Sequence, residues 1–379
     1  RIPYLFVGSL VAVLVMCLLP NAGSFGMAVS TAMIFGLVSL MFLDTSINMA
    51  MQPFKMMVGD MVNEKQKGLA YSIQSFLCNA GSLVGFLFPF IFTWIGISNI
   101  APQGVVPDSV IYSFYIGAAI LILCVIYTTV KVKEMPPAEY AEYHGITEEE
   151  KKEKINMVKL LVKAPKAFWT VGLVQFFCWF AFMFMWTYTN GSVAANVFDA
   201  PTVETVVNGA NKVVLDTKSI QYQDAADWVG VLFAVQAIGS VLWAVCIPMF
   251  KNRKLIYSLS LVLGGIGFIS TYFVHNQYVL FISFLLIGCA WAAMLALPFT
   301  ILTNALSGGH MGTYLGLFNG TICIPQIVAA TLGGSILALF TPKGMLPPEI
   351  NMLVMAGVML IIGAVCVYLI KETKGEQAK

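Results

Sequence analysis

The sequence predicts an all-α polytopic membrane protein built as two helical bundles. Three observations predict it. The chain is 59% hydrophobic and 11% charged over 379 residues, whereas soluble domains average about 25% charged. It contains ten apolar runs near the roughly 20 residues that an α-helix needs to cross a bilayer. Its lysines and arginines fall almost entirely on one side once those runs alternate in direction.

In chain order the expected spans are 3–20, 27–57, 69–97, 109–131, 166–189, 226–249, 254–274, 278–304, 312–340 and 349–370. Pro and Gly punctuate the gaps at Pro20, Gly59, Pro102, Gly104, Gly308, Gly309 and from Pro342 to Pro348. These residues interrupt helices by removing a donor or by favouring turns. Residues 132–165 form a charged, Pro-broken connector and read as a solvated segment. The domain organisation is therefore 1–131, the remainder of an N-terminal bundle of four helices; 132–165, a connecting loop; and 166–379, a C-terminal bundle of six. Carriers of this general plan are often two bundles of six. The four-plus-six count leads us to expect two spans ahead of Arg1.

Orientation follows from charge. With Arg1 inside, only Lys212, Lys218 and Lys343 of the 21 basic residues lie outside. This is a strong positive-inside bias and places both ends of the chain in the cytoplasm. The segment 190–225 is the main outer loop. TVVNGANKVVL, centred on Asn208-Gly209, reads as a small β-hairpin, because Asn-Gly favours the tight turn that joins two strands. Asn190-Gly-Ser is a glycosylation sequon read as a chance occurrence, and Asn319-Gly-Thr lies within a span.

The eight cysteines sit in apolar runs without metal-ligand spacing and read as small packing residues. His144, His275 and His310 fall in loops or at helix ends. No phosphate-binding loop, HExxH motif or serine nucleophile elbow is present in the sequence. The chain therefore reads as not an enzyme and as needing no cofactor. The Gly81-x-x-x-Gly85 pair reads as a helix-packing device.

Asp44 is the most informative residue. It lies inside the second span, where a carboxylate is costly and marks an ion, proton or substrate path. Desolvation favours its neutral form, which loses its proton when water reaches it. That behaviour makes it the candidate proton-coupling residue. Asp44, Asn48, Met51 and Lys55 share one helical face. Asp44 and Lys55 are about 16 Å apart along a straight helix, too far for a direct pair. Pro53 between them frees the carbonyl of Met49.

Candidate solute contacts are Asn48, Gln175, Trp179, Gln236, Asn319 and Gln326. Gln175, Trp179, Phe182 and Trp186 follow helical spacing on one face. Aromatic faces stack on the C–H face of a sugar ring while amides bond its hydroxyls. Gln236, Ser240 and Trp243 share a second face, as do Asn319 and Gln326 around Pro325. Each has an alternative reading as an interhelical tie or as packing. Gly59-Asp60 and the charges 64–67 read as a short inner loop that gates between states, or as a solvated turn.

Several stretches carry a family resemblance. LDTSINMAMQPFKMMVGD (43–60), VQFFCWFAFMFMW (174–186), ADWVGVLFAVQ (226–236), GCAWAAMLALPFTIL (288–302) and MGTYLGLFNGTICIPQIVAATLGG (311–334) resemble, in this order, the sucrose and maltose proton symporters. Those belong to the glycoside–pentoside–hexuronide:cation symporters of the major facilitator superfamily. Arg1-Ile-Pro-Tyr4 is similar to the end of their loop between helices two and three. The resemblance implies the major facilitator superfamily fold with ten of twelve transmembrane helices present. It implies proton-coupled uptake of a glucoside by alternating access, with a sugar, a proton and the lipid bilayer as partners and no nucleic acid. It puts proton coupling on Asp44 and gives Lys55 the place of an arginine, as charge partner. Lysine keeps the charge and loses the bidentate fork. Short loops and the lack of outer cysteine pairs point to a bacterial inner membrane. A carrier coupled to another cation, a polytopic sugar sensor and a membrane enzyme remain the competing readings.

Overall fold

The structure is a computed structural model. It describes residues 2–26, 29–60, 64–99, 105–134, 136, 139, 157–207, 210–250, 252–305, 311–342 and 344–370. Among these, ten helices are long and apolar enough to cross a membrane. The chain divides into two compact units, Arg1–Lys151 and Lys152–Lys379, and the division falls inside the charged connector.

The first unit holds α1 (Ile2–Leu18), α2 (Val29–Asp60), α3 (Glu64–Trp94) and α4 (Asp108–Lys131). A 3-10 turn, Leu19–Phe25, follows α1 and ends at Gly26 with φ 65°, a left-handed conformation suited to glycine. Asn21 Nδ2 donates to Tyr115 Oη at 2.8 Å and ties this turn to α4. The α1–α2 contact is close because Gly8 has no side chain: a Cβ there would lie 2.9 Å from the Ser46 carbonyl and 3.2 Å from the Ala50 methyl. Asp108 in the first turn of α4 and Lys131 in the last complement the helix dipole. Most large apolar side chains of α2 and α3, such as Met33, Leu37, Met41, Phe76 and Leu77, are exposed on the protein surface. A bilayer is the environment in which such a surface is stable.

Two sequence readings change here. Gly59 and Asp60 lie at the end of α2 and Glu64 to Lys67 open α3, rather than forming a loop; residues 61–63 lie outside the described residues. The side chains of Lys55, Gly59 and Asp60 lie outside the described residues. The Gly81/Gly85 pair makes no close helix contact: among the described residues nothing lies within 4 Å of a Cβ built at either position.

The second unit holds α5 (Met157–Val162), α6 (Lys166–Asn196), the strands β1 (Thr202–Val207) and β2 (Ala210–Leu215), α7 (Ile220–Cys246), α8 (Arg253–Ser270), α9 (Leu280–Ala305), α10 (Met311–Phe318), α11 (Gly320–Phe340) and α12 (Ile350–Cys366). The strands form the expected antiparallel hairpin, with Thr202 opposite Leu215 and Val207 opposite Ala210. Residues 208–209 of its turn lie outside the described residues.

Helix α6 is the centre of this unit and packs against α7, α9, α11 and α12. It is apolar all round, as a helix enclosed by other helices is. Small residues let the other backbones approach. A Cβ on Gly267 would meet the Ser283 carbonyl at 2.6 Å, and one on Gly357 would meet the Gly265 carbonyl at 2.7 Å. Polar ties fix the register. Trp243 Nε1 donates to Ser260 Oγ at 2.8 Å, Ser270 and Ser283 share a hydroxyl bond at 2.8 Å, and Ser258 Oγ donates to the Ala364 carbonyl at 3.1 Å. The ninth expected span is present as Gly316–Phe340; α10 and α11 meet within it at Asn319, whose backbone stays right-handed helical at φ −59°, ψ −24°.

Candidate functional site

In the first unit, Asp44 lies within the span Ser30–Met51, near its C-terminal end. The α1 contact uses Ser46 and Ala50 on a different side of α2, so the Asp44 side chain is exposed. Asn48 is half-buried and its Nδ2 donates to the Asp44 backbone carbonyl at 2.9 Å. This bond is local to the helix. It leaves the Asp44 carboxylate on the same face as the amide and uncovered by its own unit.

In the second unit, Gln175 is 1% exposed. Its Nε2 donates to the Met294 carbonyl on α9 at 2.8 Å, and its Oε1 is buried without a partner among the described residues. Trp179, one turn later, has a buried Nε1 that also lacks a partner. The two atoms are an acceptor and a donor, one turn apart on one helix. A hydroxyl uses one of each. Buried unpaired polar atoms are uncommon enough to need an explanation.

Around them is a connected aromatic cluster. The rings of Trp179 and Trp291 are 5.8 Å apart edge-on, Trp186 and Trp291 are also 5.8 Å apart, and Phe182 and Trp291 are 4.9 Å apart. Gln175, Trp179, Phe182 and Trp186 thus come together as their spacing predicts. Trp291 on α9 completes the cluster; as an isolated tryptophan in its span it follows no spacing pattern that marks it. Phe182 is fully buried against Phe268 and Trp291, so it packs the cluster.

Gln236 is buried on α7, where that helix meets Gly288 of α9. Trp243 is spent on its bond to Ser260, as an interhelical tie. Asn319 sits at the α10–α11 break, with its Nδ2 making only a long contact of 3.9 Å to Cys323 Sγ. Gln326 is half-buried beside the buried Pro325. Helix α11 is held to α6 where Thr321 packs on Gly172. His275 Nδ1 lies 3.2 Å from the Asn196 carbonyl, and His144 and His310 lie outside the described residues. Among the described residues no group of His, Cys, Asp and Glu could hold a metal ion. All eight cysteines are free.

The sequence reading missed a polar group at the hairpin end of this unit. Glu349 immediately precedes α12, and Asn190 had been considered only as part of a sequon. Asn190 Nδ2 donates to Tyr222 Oη at 3.0 Å.

The family model described as Major Facilitator Superfamily matches residues 193–379. No curated protein matches the chain. Among solved structures, the chain is similar to a D-xylose–proton symporter at 15% identity and a TM-score of 0.68, over 100% of this chain and 83% of that one. It is similar to the inward-open xylose transporter XylE from E. coli at 12% identity and a TM-score of 0.63, over 99% and 81%. It is also similar to the outward conformation of FucP, a major facilitator superfamily transporter, at 12% identity and a TM-score of 0.56, over 95% and 81%. The chain is an integral membrane protein with the major facilitator superfamily fold.

Proposed function

We propose that the chain is a secondary active transporter that couples proton entry to uptake of a disaccharide or glucoside of the sucrose and maltose type, by alternating access. The observation that carries the solute reading is the unpaired Gln175 Oε1 and Trp179 Nε1 beside the Trp179–Trp186–Trp291 cluster. A sugar presents hydroxyls for the polar pair and an apolar ring face for the indoles. The sugar and proton named for the similar structures support the same reading.

In this account Asp44 carries the proton, with Asn48 beside it and Lys55 as its charge partner further along the helix. Gln175, Trp179, Gln236, Asn319 and Gln326 contact the solute. Gly59 and Asp60 act at the helix end in gating. Protons are the only coupling species, and no cofactor takes part. The membrane is a bacterial inner membrane with both ends of the chain inside.

The test is uptake of radiolabelled sucrose and maltose into proteoliposomes with an imposed inward proton gradient. The reading expects accumulation that a protonophore abolishes. Accumulation that ignores the protonophore and follows a sodium gradient would transfer the coupling to another cation. Lack of uptake of either sugar by folded protein would remove the proposed substrate class.

A further inference from the structure

At the hairpin end of the second unit, α6, α7, β2 and the segment before α12 surround a cavity of about 300 Å³, lined in part by Thr187, Asn190, Leu215, Tyr222, Pro347 and Glu349. That is room for several waters. One buried acceptor at its wall lacks a donor. Asn190 Nδ2 donates one proton to Tyr222 Oη, and its Oδ1 is buried without a partner among the described residues. The Thr187 hydroxyl donates to the Met183 carbonyl at 2.8 Å. The Glu349 carboxyl packs directly on Gly191, where any Cβ would collide with it. It makes no capping bond to α12, although it holds the N-cap position.

We propose that Glu349 is a proton-binding site separate from Asp44, which takes its proton from the cavity and in the protonated form holds the start of α12 against α6. The exchange is the addition of one proton from cavity water to one carboxylate oxygen, with no other bond changed. The neutral acid adds one O–H donor to a wall that holds an unpartnered acceptor, Asn190 Oδ1. The ionised form adds a charge that no cation among the described lining residues pairs with. Tyr188 of α6 and Tyr222 of α7 face the carboxyl. In the turn after β2, Asp216 accepts from the Lys218 amide at 3.0 Å, and the Lys218 side chain is exposed. Lys343 lies outside the described residues. Burial raises the Glu349 carboxyl from 4.5 to about 7, which puts the exchange in the physiological range.

The test uses the full chain in lipid nanodiscs and needs no substrate, so its outcome is independent of the transport reading. Infrared difference spectra are recorded from about pH 5 to about pH 9, bracketing the raised carboxyl. The protonated-carboxyl C=O band is expected to titrate near 7 in the wild type and to lose that step in Glu349→Gln and Glu349→Ala. Amide exchange, corrected for its intrinsic pH dependence, gives the second readout at residues 186–196 and 350–356. Wild-type protection is expected to fall as pH rises through about 7, to stay high in Glu349→Gln and to be low throughout in Glu349→Ala. A step near 7 that survives in both variants would overturn the proposal. So would a wild-type carboxyl that titrates in the ordinary carboxylate range.

Discussion

Asp44 and Glu349 are two carboxylates in different surroundings, the first exposed on its helix and the second packed on Gly191. Asp44 was legible in the sequence because an acid inside an apolar run is a strong departure from what the bilayer tolerates. Glu349 was not, because its burial arises from packing on Gly191, which is 158 residues away in the chain. Its raised proton affinity has a consequence for stability. A carboxyl that binds its proton more tightly in the folded protein supports folding below its ordinary value of 4.5. That support is lost as pH rises through about 7. Wild-type thermal stability is expected to fall across this window, by at most about 3 kcal/mol, while Glu349→Gln flattens the profile. Melting curves at several pH values check this. Gln175 was legible as a polar residue on an aromatic face, but its bond to the Met294 carbonyl was not. Gln175→Leu should cost about 1 kcal/mol of stability by removing that tie. It should also raise the sugar KM about tenfold, equivalent to about 1.4 kcal/mol of binding. A stability loss with an unchanged KM would make Gln175 a structural tie alone.

The helices themselves were largely readable, and the faces they bury were not. Each span announces itself by length and composition, and Asn208-Gly209 between β-rich segments announced the hairpin. Lipid tails are as apolar as leucine side chains, so hydropathy does not separate a lipid-facing side from a protein-facing one. This is why the sequence assigned Gly81 and Gly85 to packing when the close contacts fall at Gly8, Gly239 and Gly288. Gly288 offers the sharpest test of the element packing. A Cβ there would collide with the Gln236 carbonyl and lie 2.7 Å from the Ser240 amide. Because these are backbone atoms, side-chain rotation gives no relief. Gly288→Val should destabilise the protein by about 3 kcal/mol or more, read as a lowered melting temperature in detergent. Gly81→Val should change it by less than about 0.5 kcal/mol.

At the scale of the molecule, composition and charge asymmetry were sufficient for the class. The superfamily fold then appears in the structural likenesses, at identities of 12–15% where side chains have diverged. The fold accommodates many solutes, so the proposed function rests on particular groups: a carboxylate within a span in one unit, and, among the described residues, an unpaired amide–indole pair in an aromatic cluster in the other. The central claim is that the first takes the proton and the second takes the sugar. The most direct measurement is proton uptake into proteoliposomes induced by sucrose or maltose, compared with sugar exchange in the absence of a gradient, for wild type and Asp44→Asn. The account predicts sugar-induced proton flux in the wild type that vanishes in Asp44→Asn while exchange survives. Undiminished proton flux in Asp44→Asn would contradict it and place the coupling proton on another group.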